Sequence, residues 1–385
     1  TDLKFATPTL DRLAADGIKL AQYYTQSSCT PARAALLSGF FASSVGMGMD
    51  SQGAFTIDSP YGLPLSYPLM PEILANIGYE THMVGKWNIG HFAEAHLPHR
   101  RGFESSLGYN GDEANYYSHV PCGMAPFSGW NASEWCDFMM ATADRGIQVG
   151  DCHTGAYSTE IYAERLESII TAHDARGKPL FLYAAFQAIH APADAPPPQD
   201  WAPEEEAMLA TLDHVCRSGH RHTVARIVVT LDRAVRRVLG ALEKHAFLNN
   251  TIIAFASDNG ACPAEGGSNW PLRGNKFSNF EGGVRVPAFV WSALMPDKLR
   301  GTTFRGIFHA ADWLPTFASA VGRAEIVSDT WRRANGLEAL DGVDQWQALR
   351  SSAEESPVHA RDEVLIHLNK WSMHLGGAEL PFNFS

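Results

Sequence analysis

Apolar positions set the first outline. Behind Thr7-Pro8, the residues Leu10, Leu13 and Ala14 recur at helical spacing, and Gly17 stops the run. Ile18–Tyr24 then reads as a strand. A second helix opens at residues 71–75, closes near Gly78 and is followed by a strand-like stretch at 79–84. Residues 158–173 carry Ile161, Leu166, Ile169 and Ile170 on one face, ahead of the apolar run 180–186. The longest amphipathic stretch, about 222–245, sets Val224, Ile227, Leu231, Val235, Val238 and Leu242 on one side. Residues 251–256 and 284–291 are short β-rich runs bounded by Gly, Asn and Pro. Helices between short apolar strands predict an α/β domain, a mostly parallel central sheet sandwiched by helices. Periodicity weakens after about residue 320. The expected division is a main domain over 1–320 and the start of a smaller α+β lobe over 321–385.

Composition narrows the classes. Of 385 residues 45% are hydrophobic and 19% charged, enough for one large core. The net charge of −12, with no offsetting basic stripe, argues against a nucleic-acid partner. An anionic substrate stays open, because a pocket needs only a few local cations. No run of eighteen apolar residues occurs, so no membrane span is expected. Six cysteines are too few for a disulfide-built fold, although Cys122 and Cys136 flank a Gly-, Pro- and Trp-containing loop suited to a surface disulfide. Sequons at Asn131, Asn249 and Asn383 lean towards a secreted or lysosomal setting.

Four constellations carry chemistry. In Ser28-Cys29-Thr30-Pro31-Ala32-Arg33, Pro31 suits the first turn of a helix. Cys29 then sits near a helix N-terminus, where unpaired N–H groups favour an anion, with Arg33 one turn on. Gly85-Lys86-Trp87-Asn88-Ile89-Gly90-His91 ends a strand and puts the Lys86 ammonium at a sheet edge. His190-Ala191-Pro192 opens a Pro-rich loop directly after the run 180–186, where ligands of α/β sheets sit. Ser257-Asp258-Asn259-Gly260 follows the strand 251–256 and offers oxygens suited to a hard cation. Taken singly, each has a plain structural reading: a buried Cys, a solvated Lys, a core His, a turn.

Together, and in this order, the four strings resemble the sulfatase family. Cys29-x-Pro31-x-Arg33 looks like its signature, whose cysteine is oxidised to formylglycine, and residues 85–91 are similar to its Gly-Lys-Trp-His-Leu-Gly motif. Gly266-Gly267-Ser268-Asn269-Trp270-Pro271-Leu272-Arg273-Gly274-Asn275-Lys276 and Glu281-Gly282-Gly283-Val284-Arg285 are again sulfatase-like. Asn115-Tyr116-Tyr117-Ser118-His119 and the Asn269–Gly274 string resemble the arylsulfatase B subgroup, which acts on sulfated N-acetylgalactosamine.

The resemblance implies an alkaline-phosphatase-like fold and hydrolysis of sulfated carbohydrates or aryl sulfates. Cys29 would be converted by the formylglycine-generating enzyme. Arg33, Lys86 and Lys276 would hold sulfate, His190 would contact sulfate and protonate the leaving alcohol, and Asp258, Asn259 and modified Cys29 would bind one calcium ion. Two departures stand out. Asn88 occupies the position of the family's His, and an amide cannot shuttle a proton at neutral pH. His91, three residues on, is the nearest substitute. The family's apolar first strand and its Asp-Asp metal pair also have no match, so the expectation is a catalytic domain lacking both, with weakened calcium binding. These departures motivate an alternative, a non-catalytic paralogue that binds glycans or a partner. A two-metal phosphohydrolase of the same superfamily is disfavoured by the Cys29 motif.

Overall fold

The computed structural model describes residues 3, 5–48, 59–121, 137–149, 155–174, 176–197, 201–213, 219–351 and 360–367, with the backbone of two short strands at 373–375 and 378–380. Helix α1 (Pro8–Asp16) starts with Pro at its first position, as predicted. Its Thr7 makes no side-chain cap. Buried Asp232, on the long helix Gly219–Lys244, accepts from the amides of Thr9 and Leu10 at 3.0 and 2.9 Å. A carboxylate at a helix N-terminus satisfies amides left over by the ladder, so the cap comes from across the fold.

Two sheets form the centre. In the first, β1 (Ile18–Tyr24) lies between β8 (Ala288–Ser292) and β9 (Thr303–His309), and β7 (Ile252–Ala256) pairs with β8 on the outside. The second has the order β5-β4-β3-β2-β6, with β2 (Glu80–Lys86), β3 (Ser105–Tyr109), β4 (Phe138–Thr142), β5 (Gly146–Val149) and β6 (Leu180–Ala185). The pairs β1–β9, β2–β3 and β2–β6 are parallel, and β1–β8, β7–β8, β3–β4 and β4–β5 are antiparallel. The α/β class stands, and its sheets are mixed. Strand β2 is interior to its sheet, so Lys86 emerges from the middle of the sheet's end and not from a lateral edge. The close approach of β2 to its neighbours requires glycine: a Cβ on Gly85 (φ +112) would lie 1.9 Å from the Ala185 carbonyl oxygen. Among the described strands, β6 pairs only with β2 and β7 only with β8, and both leave residues such as Ala184 and Ala254 exposed.

Packing follows the periodicity. Ile18, Leu20, Val290, Phe308, Trp313 and Leu314 share one buried cluster, each large apolar side chain contributing about 1.5–3 kcal/mol. Helix Gly219–Lys244 buries Val224, Ile227, Leu239 and Leu242 and lies against helix Ser158–Ala172. Arg237 bridges Glu160 and Glu167 at 2.7 and 2.6 Å across that pair. Past residue 320, Ile326, Val327 and Leu349 join the main cluster, and Arg361 binds buried Asp312 at 2.6 Å. No helix among the described residues is long and apolar enough to cross a membrane. Cys122, Cys136, Cys152, Cys216 and the sequons at Asn131 and Asn383 lie outside the described residues. Cys29 and Cys262 are unbridged, and Asn249 is exposed.

Candidate active site

The ends of β1, β2, β6 and β7 deliver the sequence-predicted residues to one place. After β1 the chain turns into helix α2 (Cys29–Ser38), which Gly39 terminates in the left-handed conformation with its amide on the Ala35 carbonyl. Cys29 is the first residue of α2 and is 1% exposed. Its Sγ lies 3.8 Å from His190 Nε2. The Lys276 ammonium reaches the same His190 nitrogen at 2.8 Å. An ammonium only donates, so Nε2 is the acceptor, and Nδ1 carries the proton that it donates to the Ala191 carbonyl at 2.7 Å. Burial, then Lys86 and Lys276, hold the His190 imidazole well below its ordinary value, in agreement with a neutral ring.

Arg33 closes the other side. Its Nη2 and Nε contact Asp258 Oδ2 at 2.8 and 3.2 Å, and its Nη1 donates to the Lys86 carbonyl at 2.8 Å. Burial works to raise the Asp258 carboxyl, but Arg33, Lys86 and Lys276 outweigh it and keep Asp258 ionised far into acid. Lys86 is buried and donates to the Asp112 carbonyl; burial lowers its pKa, against the pull of Cys29. The Lys276 pKa is raised: burial opposes this, and Cys29 and Asp258 prevail. Three cations thus surround Asp258. The excess positive charge suits an oxyanion.

Asn88 is fully buried with φ +59, a left-handed conformation that Asn tolerates better than most residues. Its Oδ1 accepts from Thr30 Oγ1 at 3.0 Å, and its backbone N–H donates to the Asn110 carbonyl at 3.0 Å. The charge that His91 faces is that of buried Asp137.

The calcium donors fare differently. Asn259 Oδ1 is buried with no hydrogen-bond partner and is a spare acceptor, whereas Asp258 is already paired with Arg33. Among the described residues no group of three or more His, Cys, Asp or Glu side chains is arranged to hold a metal ion. Calcium takes six to eight oxygens, so these donors do not by themselves amount to a site.

Sequence reading missed the supports. Tyr116 OH donates to the His190 carbonyl at 3.0 Å, and its ring stacks on Tyr157 at 5.1 Å. Gln187 takes a hydrogen bond from Ser158 Oγ at 2.9 Å and donates to the Ala114 carbonyl. The 115–119 string was visible in the sequence, but only as a family marker. Glu113, on the same loop, lies with Oε2 3.9 Å from His190 Nδ1, and burial with neighbouring Asp112 pushes its pKa up to about 7.

The family model for Sulfatase matches residues 2–323. Mouse arylsulfatase J is 36% identical over 343 residues, covering 89% of this chain and 52% of the relative. Rat N-acetylgalactosamine-6-sulfatase is 32% identical over 295 residues, 74% of this chain and 52% of the relative. The chain therefore spans about half the length of these curated relatives. The crystal structure of Ps i-CgsB in complex with k-i-k-neocarrahexaose superposes with a TM-score of 0.72 at 27% identity, over 89% of this chain and 70% of that one.

Proposed function

The chain belongs to the sulfatase family, and we propose that it hydrolyses sulfate esters of sugars or aryl alcohols through a formylglycine made from Cys29. One observation carries the reading: Cys29 opens α2 inside a ring of Lys276, Lys86, Arg33 and His190. Formylglycine supplies a nucleophilic oxygen and a route by which sulfate leaves again. The other steps belong to the chain's own groups. Lys86, Lys276 and Arg33 bind the sulfate oxygens and stabilise charge as the ester bond breaks. The proton shared between Lys276 Nζ and His190 Nε2 is the one handed to the leaving alcohol. No step is routed through calcium, whose described donors are incomplete.

A sulfated sugar as the substrate class is supported by the relative named N-acetylgalactosamine-6-sulfatase and by the neocarrahexaose complex. Exposed Asn249 supports a secreted or lysosomal protein, and the Cys29–Arg33 motif supports the formylglycine-generating enzyme as a partner. Residues 1–320 would be the catalytic domain and 321–385 the start of the second lobe. The test is the mass of the Cys29 peptide, in which one oxygen replaces one sulfur and two hydrogens, read beside turnover of an aryl sulfate. Retention of the thiol in a host competent for the oxidation defeats the reading.

One observation favours a second reading. Asn88 is engaged with Thr30 and cannot relay a proton, which suits a protein that binds sulfated glycans without turnover. Sulfate-ester binding without hydrolysis by an oxidised chain would support it.

A further inference from the structure

An uncompensated carboxylate lies inside this cationic pocket. Glu113 is on the loop between β3 and β4, and its backbone is pinned on both sides: Lys86 Nζ donates to the Asp112 carbonyl, and Gln187 Nε2 to the Ala114 carbonyl. The side chain is 25% exposed, and Oε2 lies 3.9 Å from His190 Nδ1. The charges of Lys276, Lys86 and Cys29 all act on it. Yet none of the three cations pairs with it, and no hydrogen bond to its carboxylate is present among the described residues. For sulfate binding alone such a group is counterproductive whenever it is ionised, because it then repels the anion that the lysines attract. Its placement makes sense if part of the substrate other than sulfate donates to it.

We propose that Glu113 is a specificity-determining residue that accepts a hydrogen bond from a hydroxyl or amide N–H borne by the sugar beside the sulfated carbon. This rests on the sulfatase reading above and deepens it. A sulfated sugar with such a donor satisfies the carboxylate. A plain aryl sulfate has no donor there, and a second sulfate at that position meets like charge. A site with a largely buried acceptor discriminates against ligands that leave it unpaired, more than an apolar pocket does over one methylene.

The test compares 4-nitrophenyl sulfate with a monosulfated N-acetylhexosamine on the full chain, for wild type, Glu113→Ala and Glu113→Gln. The readout is the ratio of kcat/KM for the sugar to that for the aryl ester. Hydrogen bonds to charged groups predict about a 10–100-fold fall of that ratio in Glu113→Ala, with most of it restored in Glu113→Gln, which keeps an acceptor oxygen. A ratio within threefold of wild type in Glu113→Ala overturns the proposal, as does an equal fall in both variants. If the wild-type protein turns over neither ester, the hydrolase reading fails on its own. The same ratio is then read as Kd by calorimetry with the same two probes, and the same thresholds decide it.

Discussion

The hydroxyl of Thr30, the residue after the Cys29 nucleophile candidate, donates to Asn88 Oδ1 at 3.0 Å. This contact ties the first turn of α2 to the end of β2, and both partners are fully buried. Asn88 holds the tie from a left-handed backbone, which an alanine adopts only at a cost. Asn88→Ala is expected to lose about 2 kcal/mol of stability, read by urea denaturation. Asn88→His restores a group able to carry a proton, and aryl sulfate turnover should rise by roughly 10²-fold or more.

Lys86 tests the anion pocket. Lys86→Met keeps the stem and removes the charge, and kcat/KM for an aryl sulfate should drop on the order of 10²–10³-fold. An unchanged kcat/KM would remove Lys86 from the site.

Tyr116 tests the support of His190. Tyr116→Phe keeps the stack on Tyr157 and deletes the hydrogen bond to the His190 carbonyl. The loop should loosen, lowering kcat several-fold with little change in KM if Lys86, Lys276 and Arg33 hold the sulfate as proposed. Steady-state kinetics at fixed pH separate the two constants.

Loss of stability in acid is expected from His309, at the end of β9. Burial, then the charge of Arg361, lowers its pKa from 6.5 to about 3, and its Nδ1 accepts from the Ala311 amide at 3.1 Å. A pKa depressed on folding contributes stability above the unfolded value, lost as pH falls from about 6.5 towards 3. The slope from this group is about 1.4 kcal/mol per pH unit. Thermal melts of wild type should fall steeply across that window, and those of His309→Asn, which keeps an acceptor oxygen, less so.

The legible part of the fold was the part with long or repeated patterns. Helix Gly219–Lys244 was expected at about 222–245, and Ile18–Tyr24 agrees at both ends, because many apolar side chains repeat the same signal. Strands β3, β4, β5 and β9 were not foreseen. Ser105–Tyr109 and Thr303–His309 mix polar and small residues and are held by neighbours distant in sequence. The site was legible in Cys29, Lys86, His190, Asp258 and Lys276, which do converge. Thr30, Glu113 and Tyr116 were not, because their neighbours come from segments that meet them only in space. A hydroxyl bonding a backbone carbonyl leaves no spacing to read.

The outer sides of β6 and β7 have a practical consequence. Each presents a row of amide and carbonyl groups to which no described strand is paired, along apolar residues such as Leu182 and Ile253 that are partly buried. Such rows template the addition of any extended peptide, another copy of the chain included. Concentrating this polypeptide by itself therefore invites sticky, β-rich assemblies, and dilute handling or an added extended peptide should keep it dispersed.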